Sequence, residues 1–235
     1  ADGAVIVVGA VSGVTVGTEK AWDYCEKYKI PRMIFVNQMD RENANYMKVL
    51  DQLKEKYGTA IVPLQIPIVE GGQFKGYVNA IEMTAKEFSG KETKEIPIPD
   101  HMMDEIEPIR TVLVEAAAET SEELMEKYFE GEELTDEEIR NAIRGGVLEG
   151  EIIPLLCGSA VNNSGVKELM DEVINYLPNP SDRPVAVGTN PKTEDSEERK
   201  PDVSEPFSAL VFKTVVDPFV GKLSIFKVMS GQLEA

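Results

Sequence analysis

A single carboxylate can tell one purine from another. Guanine presents two adjacent donors, N1–H and N2–H, and an aspartate facing that edge accepts both as a charged bidentate pair. Adenine presents no such pair. The segment Asn37-Gln38-Met39-Asp40 sets an acid three residues beyond an amide, at the end of the apolar run 33–36. Ligands of open α/β sheets bind at the carboxyl ends of the strands. Asp40 is therefore a candidate base reader, and Asn37 a candidate brace for its loop. The same residues also suit a plain turn, where Asn and Asp side chains bond to nearby backbone. Asn-x-x-Asp fixes only two positions, so a second signal is needed. Gly158-Ser159-Ala160 supplies one, because it follows the apolar run 152–157 and precedes a helical pattern. Small residues in such a turn let backbone N–H groups approach a base edge closely. The competing reading is a strand-to-helix loop whose serine caps the next helix.

Other chemistries are excluded by the residue inventory. The one histidine, His101, rules out His-pair catalysis and His-rich metal sites. Cys25 and Cys157 belong to no pair motif, so neither a disulfide framework nor a cysteine zinc site organises the fold. Reduced thiols point to the cytoplasm. The longest apolar run, 4–11, is far short of the roughly 20 residues that span a bilayer, so no membrane partner is expected. A net charge of −18 makes the chain a poor wrapper of bare phosphate backbone.

Which elements must hold the two loops? Residues 4–11, and 33–36 within a strand over 32–37, are apolar without alternation, the pattern of strands buried on both faces of a parallel sheet. Helical spacing over 18–29 and 42–57 separates and follows them, giving strand, helix, strand, helix. Residues 60–69 and 74–83 read as a hairpin through Glu70–Gln73, followed by a loop rich in Lys and Glu. A helix is expected over 102–118, and Thr120-x-x-Glu123 and Thr135-x-x-Glu138 fit capping boxes that open two more. The buried-strand type returns at 152–157, with a closing helix over 165–177. Residues 178–206 hold six of the 14 prolines and read as a linker, before β patterns at 207–215 and 221–228. The two candidate loops meet if residues 65–150 are an insertion between adjacent parallel strands.

Several of these segments together resemble elongation factor G, a family of translational GTPases. They are Ala1–Val8, Ile30–Arg41 with its Asn37-Gln38-Met39-Asp40, Ser121–Tyr128, Cys157–Ala160 with Gly165-Val166, and Asp217–Lys222. The resemblance implies an α/β fold: part of a P-loop GTPase-type parallel sheet with an α+β insertion, followed by the start of a β-barrel. Residues 1–64 and 151–180 would form the carboxyl half of the GTP-binding domain, 65–150 the insertion, 181–204 a linker and 205–235 the barrel's beginning. It further implies GTP or GDP as ligand, guanine recognition by Asp40, bracing by Asn37, and a backbone bond from Ala160, next to Ser159, to guanine O6. Gln38 stands where the family usually has a lysine whose stem packs on the base, which leaves room for a paralogue acting in ribosome protection or rescue.

The implied partners are the ribosome, its stalk protein through the insertion, and tRNA and mRNA indirectly. The stretch 115–138 carries eleven carboxylates and one lysine, which reads either as solvated helix faces or as a docking surface. No Gly-x-x-x-x-Gly-Lys-Ser/Thr loop occurs; the nearest trace is Ser89-Gly90-Lys91-Glu92. The family's magnesium ligands and water-positioning histidine have no counterpart either, and His101 matches neither. The chain is thus expected to be an excised piece, inactive in hydrolysis and weak in nucleotide binding, with catalytic residues outside it. Strand 4–11 would then have an open edge that invites self-association. A ribosome-binding module that works without nucleotide is the alternative from another class.

Overall fold

The computed structural model describes residues 1–89 and 92–233. Gly90 and Lys91 of the Ser89–Glu92 trace lie outside them. The chain divides into two compact units, Ala1–Leu177 and the remainder from Pro178.

The first unit opens with β1 (Ala4–Gly9), α1 (Val16–Tyr28), β2 (Arg32–Asn37), α2 (Tyr46–Tyr57) and β3 (Ile61–Pro63). An inserted block follows: β4 (Gln65–Glu70), β5 (Gln73–Asn79), β6 (Thr84–Ser89), β7 (Glu92–Ile96), α3 (Met103–Ala118), α4 (Glu122–Phe129) and α5 (Asp136–Glu149). The chain then returns through β8 (Ile153–Cys157) and α6 (Val166–Tyr176). Strands β1, β2, β8 and β3 lie in that order in one sheet, with every pair parallel. The insertion thus leaves after β3 and re-enters at its neighbour β8, which also borders β2.

Both faces of this sheet are covered, as its unbroken apolar strands require. Ile34 and Val36 face α1 and α2, packing with Trp22, Leu50 and Leu53. Met33 and Phe35 face the other way, into a core shared with Ile106 and Leu113 of α3 and Ile139 and Ile143 of α5. The insertion and the parallel sheet therefore share one apolar core. Trp22 stacks on Tyr57 at 3.8 Å and carries the Arg32 guanidinium on its ring at 3.9 Å. Cys25 and Cys157 are buried free thiols, and burial pushes both thiols up from their ordinary range. β1 lies at one edge of the sheet, with Val7 57% exposed.

Four expectations change. The loop rich in Lys and Glu is a pair of antiparallel strands, β6 and β7. Their charges are cross-strand partners, Lys86 opposite Glu95 and Glu87 opposite Lys94, which favours pairing. Meanwhile Ala85 is buried on the core side. Helix α2 starts four residues late, at Tyr46, capped by Asn45, whose side chain accepts from Lys48 N at 2.9 Å. The Thr120 capping box is absent: Ser121 caps α4 by accepting from Leu124 N, while Thr120 bonds back to Ala117 O. The Thr135–Glu138 box on α5 is present.

The second unit holds the fourth change. Residues 181–204, expected as a linker, contain the antiparallel hairpin β9 (Ala186–Thr189) and β10 (Ser196–Arg199). Beyond it β11 (Ser208–Asp217) and β12 (Gly221–Ser230) form a second hairpin around Asp217, whose carboxylate accepts from Phe219 N and Val220 N. The unit is β-rich, and many of its large apolar side chains, Phe212, Val216 and Phe219 among them, are exposed.

Candidate functional site

β2 and β8 run side by side with Val36 level with Cys157, so the loops that leave them emerge together. Two backbone bonds lock the exits. Gly158 N donates to Val36 O at 2.9 Å, and Met39 N donates to Gly158 O at 3.2 Å. Gly158 is required by space: a Cβ there would lie 2.5 Å from Phe35 Cζ and 2.6 Å from Ser164 O. The turn beyond is closed by reciprocal bonds between Ser159 and Ser164, at 2.8 and 3.0 Å.

The five residues proposed from the sequence to hold the base all lie at this rim. Asp40 is exposed at the head of its loop. Its Oδ1 accepts from Ser159 Oγ at 2.5 Å, and Ser159 itself is fully buried. A buried hydroxyl with an exposed carboxylate on it acts as a fixed pivot. Oδ2 of Asp40 keeps both lone pairs and Oδ1 keeps one, so two further donors can be accepted side by side. Asn37 Oδ1 accepts from Ala160 N at 2.9 Å, tying the second loop to the first. The amide that the resemblance assigned to guanine O6 is thus directed at Asn37 here. Gln38 adopts a left-handed backbone with φ of 67° and is exposed. Its Oε1 sits over Gly9, where an added Cβ would be 3.1 Å from it and 2.6 Å from Ser12 Oγ.

Three contributors escaped the sequence reading: Met39, through its amide; Ser164, which closes the turn; and Ser159 in its role as donor to Asp40. Only the run of small residues 158–160 hinted at the last. His101 lies outside the two loops, in the turn that precedes α3. Among the described residues, no group of three or more His, Cys, Asp or Glu side chains could hold a metal ion, and no helix is long and apolar enough to cross a membrane.

A two-faced parallel sheet, an insertion between neighbouring strands and two hydrogen-bonded loops at the carboxyl rim define an α/β nucleotide-binding class of domain. The family model of the elongation factor Tu GTP binding domain matches residues 1–179. The chain belongs to that family, the guanine-nucleotide-binding module of translational GTPases. A crystal structure of a protein from Thermus thermophilus is similar over 99% of this chain, with 32% identity and a TM-score of 0.83. The chain spans 32% of that protein's length.

Proposed function

We propose that this chain is the base-recognition part of an elongation factor G-like translational GTPase, whose parent protein moves tRNA and mRNA through the ribosome using GTP. The observation that carries this reading is the Asp40–Ser159 bond, which presents an oriented carboxylate at the rim of a sheet of this family. In it, guanine N1–H and N2–H donate to Asp40, and O6 competes with Asn37 for the Ala160 amide. A carboxylate that accepts two bonds beside a backbone N–H that donates one fits guanine and offers adenine nothing equivalent. Phosphate anchoring and magnesium chemistry would come from residues outside this set, so the chain alone binds weakly and hydrolyses nothing. The buried, unpaired thiols support a cytoplasmic setting.

Two partner readings accompany it. The exposed acids of α4, Glu122, Glu123 and Glu126, support docking of a ribosomal stalk protein. The uncharged edge strand β1 supports pairing with a second chain, which concentration-dependent sedimentation would reveal and a strictly monomeric profile would refute. A paralogue in ribosome protection or rescue is favoured by one feature, the neutral Gln38 turned over Gly9.

The test is a titration with GMP and AMP, followed by amide shifts in Met39–Arg41 and Ser159–Val161. Saturable shifts with GMP alone, at millimolar concentration, support the reading. Equal responses to both nucleotides, or turnover of GTP by the isolated chain, would refute it.

A further inference from the structure

A second concavity lies on the insertion side of the base loop. It is a cleft of about 300 Å3 between the 39–47 segment, β4 and the start of α3. That volume is at the lower end of small-molecule sites. Three methionines line it: Met39 from the base loop, Met47 from α2, and Met102 from the turn before α3. Thioethers are polarizable and adapt to the shape of a flat ring. Tyr46 lines it as well. Its hydroxyl is buried and has no hydrogen-bond partner among the described residues, and burial holds the phenol protonated far above neutral pH. A buried hydroxyl without a partner is costly and calls for an explanation. The exposed His101 and Glu105 also line the cleft.

The charge is one-sided. Among the described residues no lysine or arginine lines the cleft, and Glu105 is its one carboxylate. An anion would find no lysine or arginine there, whereas a cation would find Glu105 and the ring of Tyr46. We propose that this cleft binds a small aromatic amine, its ring among the three thioethers and its ammonium donating to Glu105, with the Tyr46 hydroxyl supplying a further polar contact. The cleft shares Met39 with the base loop, but neither Asp40 nor any other residue proposed to contact the base lines it, so the proposal does not depend on guanine binding.

The experiment uses the chain with 13C-methyl-labelled methionine and two probes that share a phenyl ring, 2-phenylethylamine and 3-phenylpropionate. The amine is expected to shift the methyls of Met39, Met47 and Met102 saturably, leaving the other six of the nine methionines as internal controls. The carboxylate should bind at least about tenfold more weakly, and Glu105→Gln should weaken the amine by about tenfold. Tyr46→Phe should weaken it as well. Should that variant fail to fold, the exposed Glu105→Gln alone decides. The proposal falls if the three methyls do not titrate together, if the two probes bind equally, or if Glu105→Gln changes nothing.

Discussion

Two regions of this molecule display carboxylates to solvent, and they do so in opposite ways. At the purine rim one acid, Asp40, is held by a hydroxyl that no water reaches, in a turn closed by backbone bonds on both sides. On the insertion, between Glu115 and Glu138, eleven acids share a surface with one lysine, and most point freely outward. Oriented charge selects a partner by geometry. Dense charge attracts by field, with little geometric demand and strong screening by salt. Under the proposed function the rim would discriminate and the insertion would attract.

The largest way to break this contrast is at the rim's scaffold. Gly158→Val drives side-chain carbons into Phe35 and the Ser164 carbonyl. It should destabilise the first unit by about 3 kcal/mol, lowering its Tm by roughly 10 °C in calorimetry. Ser159→Ala frees Asp40 without touching it. GMP affinity should fall by about tenfold while AMP binding is unmoved, as read by the same amide titration. An unchanged GMP response would mean that the pivot is idle.

Among the acids of the insertion Glu138 departs furthest from this rule, and it sharpens the comparison through pH. Glu138 is held by Lys127 at 2.7 Å and by the Thr135 amide and hydroxyl, which together bring its pKa down to about 2. A depressed carboxylate stabilises the fold above its ordinary pKa, and that contribution is lost as pH falls through the depressed value. Protection factors of the amides at the start of α5, corrected for the pH dependence of intrinsic exchange, should therefore fall as pH drops from about 4.5 toward 2, and Glu138→Gln should remove that dependence. The smallest effect on stability belongs to the free acids. Reversing Glu122, Glu123 and Glu126 to lysine should change unfolding free energy by less than about 0.5 kcal/mol. The same variant should lose stalk-protein binding in a pull-down, and retained binding would dismiss the docking role.

The two regions also differed in how far their residues disclosed them. Unbroken apolar runs marked β1, β2 and β8 as strands of the parallel sheet, and with them the places where Asn37 and Ser159 leave it; β2 and β8 are buried on both faces, whereas β1 lies at the edge with Val7 exposed. Strands β6 and β7 were obscured because their stabilising pairs are charges, Lys86 with Glu95 and Glu87 with Lys94, and charges in sequence look like loop. Ser121 and Thr120 are equally good caps by type, and only the register of α4 chooses between them. The Ser159–Asp40 bond joins residues 119 apart and is visible only once β8 lies beside β2. Likewise the Ala160 amide could be assigned to a base by resemblance, but its bond to Asn37 is a fact of the fold.

Base selection by Asp40 is tested most directly by reversing its hydrogen-bonding pattern. Asp40→Asn keeps an acceptor for N1–H and replaces the second acceptor by a donor, which suits the C2 carbonyl of xanthine and repels the N2 amine of guanine. Parallel titrations of the native chain and the variant with GMP and XMP should show preference for GMP in the first and for XMP in the second. A variant that still prefers GMP, or a native chain indifferent to the two, would contradict guanine reading at this rim.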